Sequence, residues 1–196
     1  MNTEVSMTRS MFAVALLAAL AGAPGLAMAQ TAAAPAAVAP QPSAQPATQP
    51  TAQPADLFDF WLGDWQLSWL NADGSKGTGR NRITKILDGA VIQEDFEALT
   101  GAPPPLLKGR SLSMLAGGTW RQSWVDNQGG YFTFTAQVDG DKRVFISAPR
   151  PLKDGSTLLQ RMVFGGITPK SITWDWQSST DGGKTWLLQW RILYSR

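Results

Sequence analysis

The chain contains no cysteine and no histidine. The first absence removes disulfides and thiol chemistry, and the second removes a Ser-His-Asp triad, a histidine-held haem and most transition-metal sites. No cofactor and no metal are expected. Carboxylates are what remain for catalysis, and Glu94, Asp95, Glu97 and Asp175 are the candidates for an acid–base pair. Carboxylates that neighbour or alternate along a strand are usually solvated or salt-bridged, so a hydrolase is the weaker alternative. Charge is sparse as well, with 17 Lys and Arg against 15 Asp and Glu. Neutralising several phosphates takes a clustered basic face. The densest basic group, Arg80, Arg82 and Lys85, is interleaved with apolar strand residues, so nucleic acid is not the expected partner.

Long hydrophobic runs are missing too. MFAVALLAALAG, after Arg9, is about a dozen residues long, short of the roughly 20 needed to span a membrane. Followed by the small-x-small pattern Ala27-Met28-Ala29, it reads as a secretory signal peptide over 1–29, with Met7 as an alternative start. Export to the periplasm or the medium is therefore expected. A lipid anchor would need a cysteine at the cleavage site, and no membrane span remains. Residues 30–55 are almost wholly Ala, Pro, Gln, Thr, Ser and Val. Such a composition buries too little apolar surface to offset ordering entropy, which predicts a disordered linker.

Aromatic residues, by contrast, are plentiful, and all nine tryptophans fall in 56–196, a length suited to one domain. The stretch 58–69, FDFWLGDWQLSW, organises the rest. Phe58, Trp61 and Leu62 have the spacing of one helical turn, Gly63 breaks it, and Trp65, Leu67 and Trp69 then alternate as one face of a strand. Beyond it no segment carries a sustained helical stripe. Turn signals such as Asp73-Gly74, Asp88-Gly89, Gly117-Gly118, Gly129-Gly130, Gly140-Asp141 and Asp181-Gly182-Gly183 separate strands at intervals of about 8–12 residues. About ten strands in sequence order predict an all-β, antiparallel, up-and-down barrel, with a β-sandwich as the alternative. Closure removes exposed edges.

Tryptophans that share a strand are separated by even numbers: Trp65 and Trp69, Trp120 and Trp124, Trp174 and Trp176, Trp186 and Trp190. Even spacing puts them on one face, so all eight indoles are expected inside a closed barrel, with Leu67, Ile172, Leu188 and Ile192 between them. Gln122 shares the parity of Trp120 and Trp124, with Asp126 two residues past Trp124. The strands GRNRITKIL and AVIQEDFEAL are polar on both faces, and parity does not choose the inward set. Arg82 either pairs with Glu94 or Asp95 or holds a ligand carboxylate. Two readings stay open: a Trp-packed core without a ligand, serving as an interaction domain, or an aromatic-lined pocket for a small apolar or aromatic molecule. For the pocket the lining would be Trp65, Trp69, Trp120, Trp124, Trp174 and Trp190, with Gln122 and Arg82 orienting the ligand.

One segment, Ser179-Thr180-Asp181-Gly182-Gly183-Lys184-Thr185-Trp186, resembles the Asp-box of sialidase propellers. A single copy implies a stabilised hairpin with Asp181 capping turn amides, rather than a propeller. The blocks FDFWLGDW, GRSLSML, WRQSWVD and DGGKTW together resemble an uncharacterised family of mostly exported bacterial proteins that open with Phe-Asp-Phe-Trp-x-Gly-x-Trp. That family looks lipocalin-like, and Gly63-x-Trp65 after a helical turn is similar to the lipocalin motif in which a late-strand Arg packs over the Trp. The resemblance implies that Arg191 or Arg196 plays that part, and it implies an architecture without a reaction. The strand count also looks like the nitrobindin and fatty-acid-binding branch. The chain departs from it in lacking a haem histidine and a helix pair between its first two strands.

Overall fold

The computed structural model describes residues 52–196. The predicted signal peptide and most of the predicted linker lie outside the described residues. A 3₁₀ turn, Asp59–Trp61, leads into eleven strands: β1 Gly63–Leu70, β2 Lys76–Ile86, β3 Val91–Ala98, β4 Lys108–Ala116, β5 Thr119–Asp126, β6 Tyr131–Asp139, β7 Lys142–Ser147, β8 Arg150–Pro151, β9 Thr157–Gly165, β10 Ser171–Ser179 and β11 Leu187–Ser195. Every consecutive pair from β1 to β7 is antiparallel; β9 then pairs with β7 and β10, β10 with β11, and β11 with β1. Ten strands therefore close into an up-and-down barrel, and two-residue β8 pairs with β9. The sheet has no free long edge, which spares the chain the usual route to edge-to-edge aggregation. Among the described residues no helix is long and apolar enough to cross a membrane.

Alternation decides what the barrel encloses. In β1, Trp65, Leu67 and Trp69 are buried while Asp64, Gln66, Ser68 and Leu70 are exposed. The two strands that parity left undecided also resolve. Gly77, Gly79, Asn81 and Ile83 of β2 point inward, as do Ile92, Glu94, Phe96 and Ala98 of β3. Arg80 and Arg82 point out.

The chain ahead of β1 closes one end. Phe58 and Trp61 are fully buried there, and the Trp65 indole N–H donates to the Trp61 carbonyl at 2.7 Å. Gln53 and Pro54, which the sequence reading places in the linker, belong to this closure. Gln53 bonds to Ala136 O (3.0 Å) and accepts from Trp120 N (2.7 Å), while Pro54 O accepts from the Trp120 indole (2.9 Å).

The Arg over the Gly-x-Trp motif is Arg196. Its guanidinium lies 3.9 Å from the centre of the Trp65 ring and donates to the carbonyls of Leu62 and Pro169. Gly63 makes room for it, with φ at +118° and the guanidinium where a Cβ would stand. Arg191 instead pairs through two 2.7 Å bonds with Asp175. Arg196→Ala is expected to cost about 1 kcal/mol, since a partly solvated cation–π contact and two carbonyl bonds go together. A lower urea midpoint with a shifted Trp emission maximum would be observed, and an unchanged midpoint would count against this role.

Candidate functional site

Two aromatic groups occupy the interior. At the closed end Phe58 stacks on Phe145 (4.4 Å between ring centres) and meets Trp120 (5.4 Å) and Phe164 (6.2 Å) edge-on. All four rings are buried, so this end is a packed floor. Toward the other end, where the β1–β2, β3–β4, β5–β6 and β10–β11 loops gather, Trp190 meets Trp69 (5.3 Å), Trp174 (5.9 Å) and Phe96 (6.2 Å). Trp124 joins through Phe96 (6.1 Å), and Trp176 through Trp174 (6.4 Å) and Phe132 (5.8 Å). Here Trp124, Phe132, Trp174 and Trp190 are only half-buried. Hydrocarbon rings that face solvent inside a barrel are what an apolar guest would cover.

Two of these indoles lie against the wall because the wall has no side chain beneath them. A Cβ at Gly109 would sit closer than 3.0 Å to three atoms of the Trp124 indole, and one at Gly77 equally close to three of Trp69. Asp126 fixes Trp124 further, accepting its N–H at 2.9 Å while also accepting the Gln128 and Gly130 amides. Gly109→Ala is thus expected to swing Trp124 off the wall, at a cost of about 1–3 kcal/mol from overpacking. The check is a urea titration read by Trp emission; an unperturbed spectrum and midpoint would show that Trp124 does not rely on the glycine.

Between the two aromatic groups runs a polar tier. Asn81, Glu94, Ser111, Ser113 and Gln122 face inward from β2, β3, β4 and β5, each at most 6% exposed, and Tyr194 joins them from β11. Asn81 Nδ2 donates to Glu94 Oε1 (2.7 Å) and to the Tyr194 hydroxyl (3.1 Å), and Ser111 Oγ donates to Glu94 Oε2 (2.7 Å). Gln122 Nε2 donates to Ser113 Oγ at 3.0 Å. Asn81 Oδ1 and Gln122 Oε1 are buried with no partner among the described residues.

Among the described residues no cation pairs with Glu94. Burial pushes its carboxyl up to about 7, against the two hydrogen bonds that favour the ionised form, and the outward Asp95 adds a little. The Tyr194 phenol is raised by burial and then by Glu94, with Asn81 and Trp61 opposing. The network can therefore hold or release a proton near neutrality, deep in an apolar surround.

Of the residues the sequence proposed for the pocket, Trp65, Trp69, Trp120, Trp124, Gln122, Trp174 and Trp190 all face the interior. Trp65 and Trp120 belong to the closed end, and Gln122 to the polar tier, where it serves Ser113 rather than an indole. Arg82 is a correction: it lies on the outer face, 67% exposed, paired with Asp64 at 2.9 Å and not with Glu94 or Asp95. Its partner is the outward residue directly across from it on β1, which parity alone did not select.

Trp186 and Leu188 are corrections as well. A bulge puts Gln189 opposite no residue of β10, because Trp176 faces Trp190 and Gln177 faces Leu188. The extra residue reverses the facing of everything before it. Leu188 is 45% exposed, and Trp186 lies under the Arg161 guanidinium, 3.9 Å from ring centre to Cζ. Trp186 packs there beneath its own hairpin. Asp181 accepts the Lys184 and Thr185 amides (3.0 Å each) and the Thr185 and Ser179 hydroxyls (2.6 and 2.7 Å), and these bonds hold its carboxyl well below the usual range.

The sequence reading missed the tier's centre, Asn81, Glu94, Ser111 and Tyr194 acting together. One signal was present: Glu94 alternates with Ile92, Phe96 and Ala98 on a face that is otherwise apolar. The other carboxylates on these strands belong to an outer ladder in which Asp95 pairs with Arg110, and Glu97 with Arg80 and Lys108. Such solvated pairs need no ligand. Asp175 is likewise engaged by Arg191.

No family model matches the chain, and no curated protein matches it. Among solved structures it is similar to a de novo designed fluorescence-activating β-barrel, at 14% identity and a TM-score of 0.38, over 72% of this chain and 97% of that one. A redesigned β-barrel is similar at 11% identity and a TM-score of 0.34, over 70% of this chain and 92% of that one.

Proposed function

We propose that this is an exported, lipocalin-like binding protein of the Phe-Asp-Phe-Trp-x-Gly-x-Trp family, periplasmic or secreted, which holds a small apolar or aromatic molecule in the open half of its barrel. The observation that supports it is the asymmetry of the interior. One end is packed by Phe58, Trp120, Phe145 and Phe164, all at most 3% exposed, whereas Trp124, Phe132, Trp174 and Trp190 at the other end are half-buried. A core built only for stability gains from burying its largest rings, at roughly 25 cal/mol per Å². Leaving four of them partly wet in one place favours a guest.

A filled-barrel interaction domain is the second reading. It draws on rings that meet across the lumen from strands that are not neighbours, Trp190 with Phe96 and Phe132 with Trp176. Titration with quinones, porphyrins, aromatic acids and fatty acids, read by Trp quenching and by melting temperature, separates the two. A ligand selective for the folded state raises Tm. If no compound quenches emission or raises Tm, the filled barrel stands instead.

A further inference from the structure

The polar tier says what the guest should carry. Its unpartnered buried atoms are both acceptors, Asn81 Oδ1 and Gln122 Oε1, while the amide N–H groups of the same two side chains are already engaged. Buried oxygens without a donor cost roughly 1–3 kcal/mol each, so a ligand that supplies the donor recovers that cost on binding. The Trp61 indole N–H lies by the Tyr194 hydroxyl at the floor and makes no hydrogen bond to these oxygens.

Charge sharpens the choice. Glu94 is faced by Asn81 from β2, Ser111 from β4 and Tyr194 from β11, and the carboxylate on its own strand, Asp95, lies outside. None of these is a cation. Of the basic residues of β2 and β4, Lys76, Arg80, Arg82, Lys108 and Arg110 are exposed and Lys85 pairs with Asp59 at the closed end, where Arg143 also lies, opposite Phe164. An acidic ligand would therefore meet a carboxylate and lone pairs with nothing to neutralise it. An ammonium would meet a countercharge, and indole faces beside it add cation–π attraction.

Resting on the binding reading above, we infer that the guest is an amine: a small aromatic or apolar molecule whose hydrocarbon part lies among Trp69, Phe96, Trp124 and Trp190 and whose ammonium pairs with Glu94 and donates to Asn81 Oδ1. Gln122 Oε1 is a further acceptor on the same wall. Phe96 follows Glu94, and Trp124 follows Gln122, at the next inward position of each strand, so the apolar and polar contacts adjoin. Below neutrality Glu94 holds a proton, and pairing with an ammonium expels that proton to the buffer.

Calorimetry on the full chain at pH 8 with three probes of one shape tests this: 2-(1-naphthyl)ethylamine, 2-(1-naphthyl)ethanol and 1-naphthylacetate. The amine is expected to bind at least about tenfold more tightly than the alcohol, with the acetate weakest. At pH 6 the heat of amine binding should vary with the ionisation enthalpy of the buffer, reporting proton release. Glu94→Gln should bring the amine down to the level of the alcohol measured on the same variant, with a cooperative urea transition showing that the variant is folded. An alcohol or acetate that binds as tightly as the amine, or an amine affinity that survives Glu94→Gln, overturns the amine assignment and leaves the binding reading standing. Should the variant not fold, the three probes on the unaltered protein still decide. Binding of none of the three overturns the amine assignment, and the ligand panel above then decides the binding reading by itself.

Discussion

Phe58→Ala is expected to destabilise the barrel by about 3–5 kcal/mol, the range for removing a fully buried aromatic side chain. Phe58 is 0% exposed and joins three elements to the turn that plugs the closed end: Phe145 on β7, Phe164 on β9 and Trp120 on β5. Its removal empties the middle of a rigid ring cluster, where the neighbours are aromatic and collapse poorly into the gap. The loss is comparable with the whole stability of a typical domain of about 5–15 kcal/mol. Urea unfolding should show the midpoint falling with little change in slope. Leu, which restores most of the apolar volume, should recover much of the loss. A midpoint within error of the parent would mean that the turn is an appendage and not the floor of the barrel.

Between pH 5 and 7.5 the protein should lose stability as pH rises, and Glu94→Gln should abolish that loss. A carboxyl whose folded pKa lies above its unfolded value keeps its proton longer in the folded state. Its contribution is fully present below the unfolded value of 4.5 and disappears as pH climbs through about 7. The span corresponds to something on the order of 3 kcal/mol. Gln has the shape of the protonated acid, can accept from Ser111 or Asn81, and offers an N–H that Asn81 Oδ1 lacks. At pH 8 the variant should melt several degrees above the parent, and near pH 4.5 the two should melt together. The absence of histidine makes the window unusually clean, since no other side chain ordinarily titrates there. Carboxylates that are held low, such as Glu97 and Asp181, act only at lower pH. A slope that persists in Glu94→Gln would assign it to another group. Glu94→Ala is the contrasting variant, destabilised at every pH because Asn81 Nδ2 and Ser111 Oγ each lose an acceptor.

How much of this was legible beforehand differs from strand to strand. In β1 and β5 the large rings share one parity, so spacing alone places Trp65, Trp69, Trp120 and Trp124 inside, and Gln122 with them. The Asp-box likewise reads as a capped hairpin because its bonds are local, all within residues 179–185. β2 and β3 resisted the same treatment. Their inward face carries Gly77, Gly79, Asn81 and Glu94, residues that look like surface until Trp69 is seen lying on the glycines and Asn81 bonding the carboxylate. β11 reads correctly at Trp190 and Ile192 and wrongly at Trp186 and Leu188, because an added residue at Gln189 leaves no mark in the composition of the strand.

Spacing and composition are enough for the strand rhythm, the turns, an antiparallel all-β class and the exclusion of thiol and imidazole chemistry, since each follows from short-range chemistry or from counting. The folded chain settles the rest: that the sheet closes as a barrel and not a sandwich, which faces of β2 and β3 turn inward, that Arg82 and Trp186 lie outside, that Arg196 rather than Arg191 covers Trp65, and that Glu94 is buried with no cation among the described residues. Those are relations between strands distant in sequence. Their energies depend on register and desolvation, which exist only once the barrel has closed.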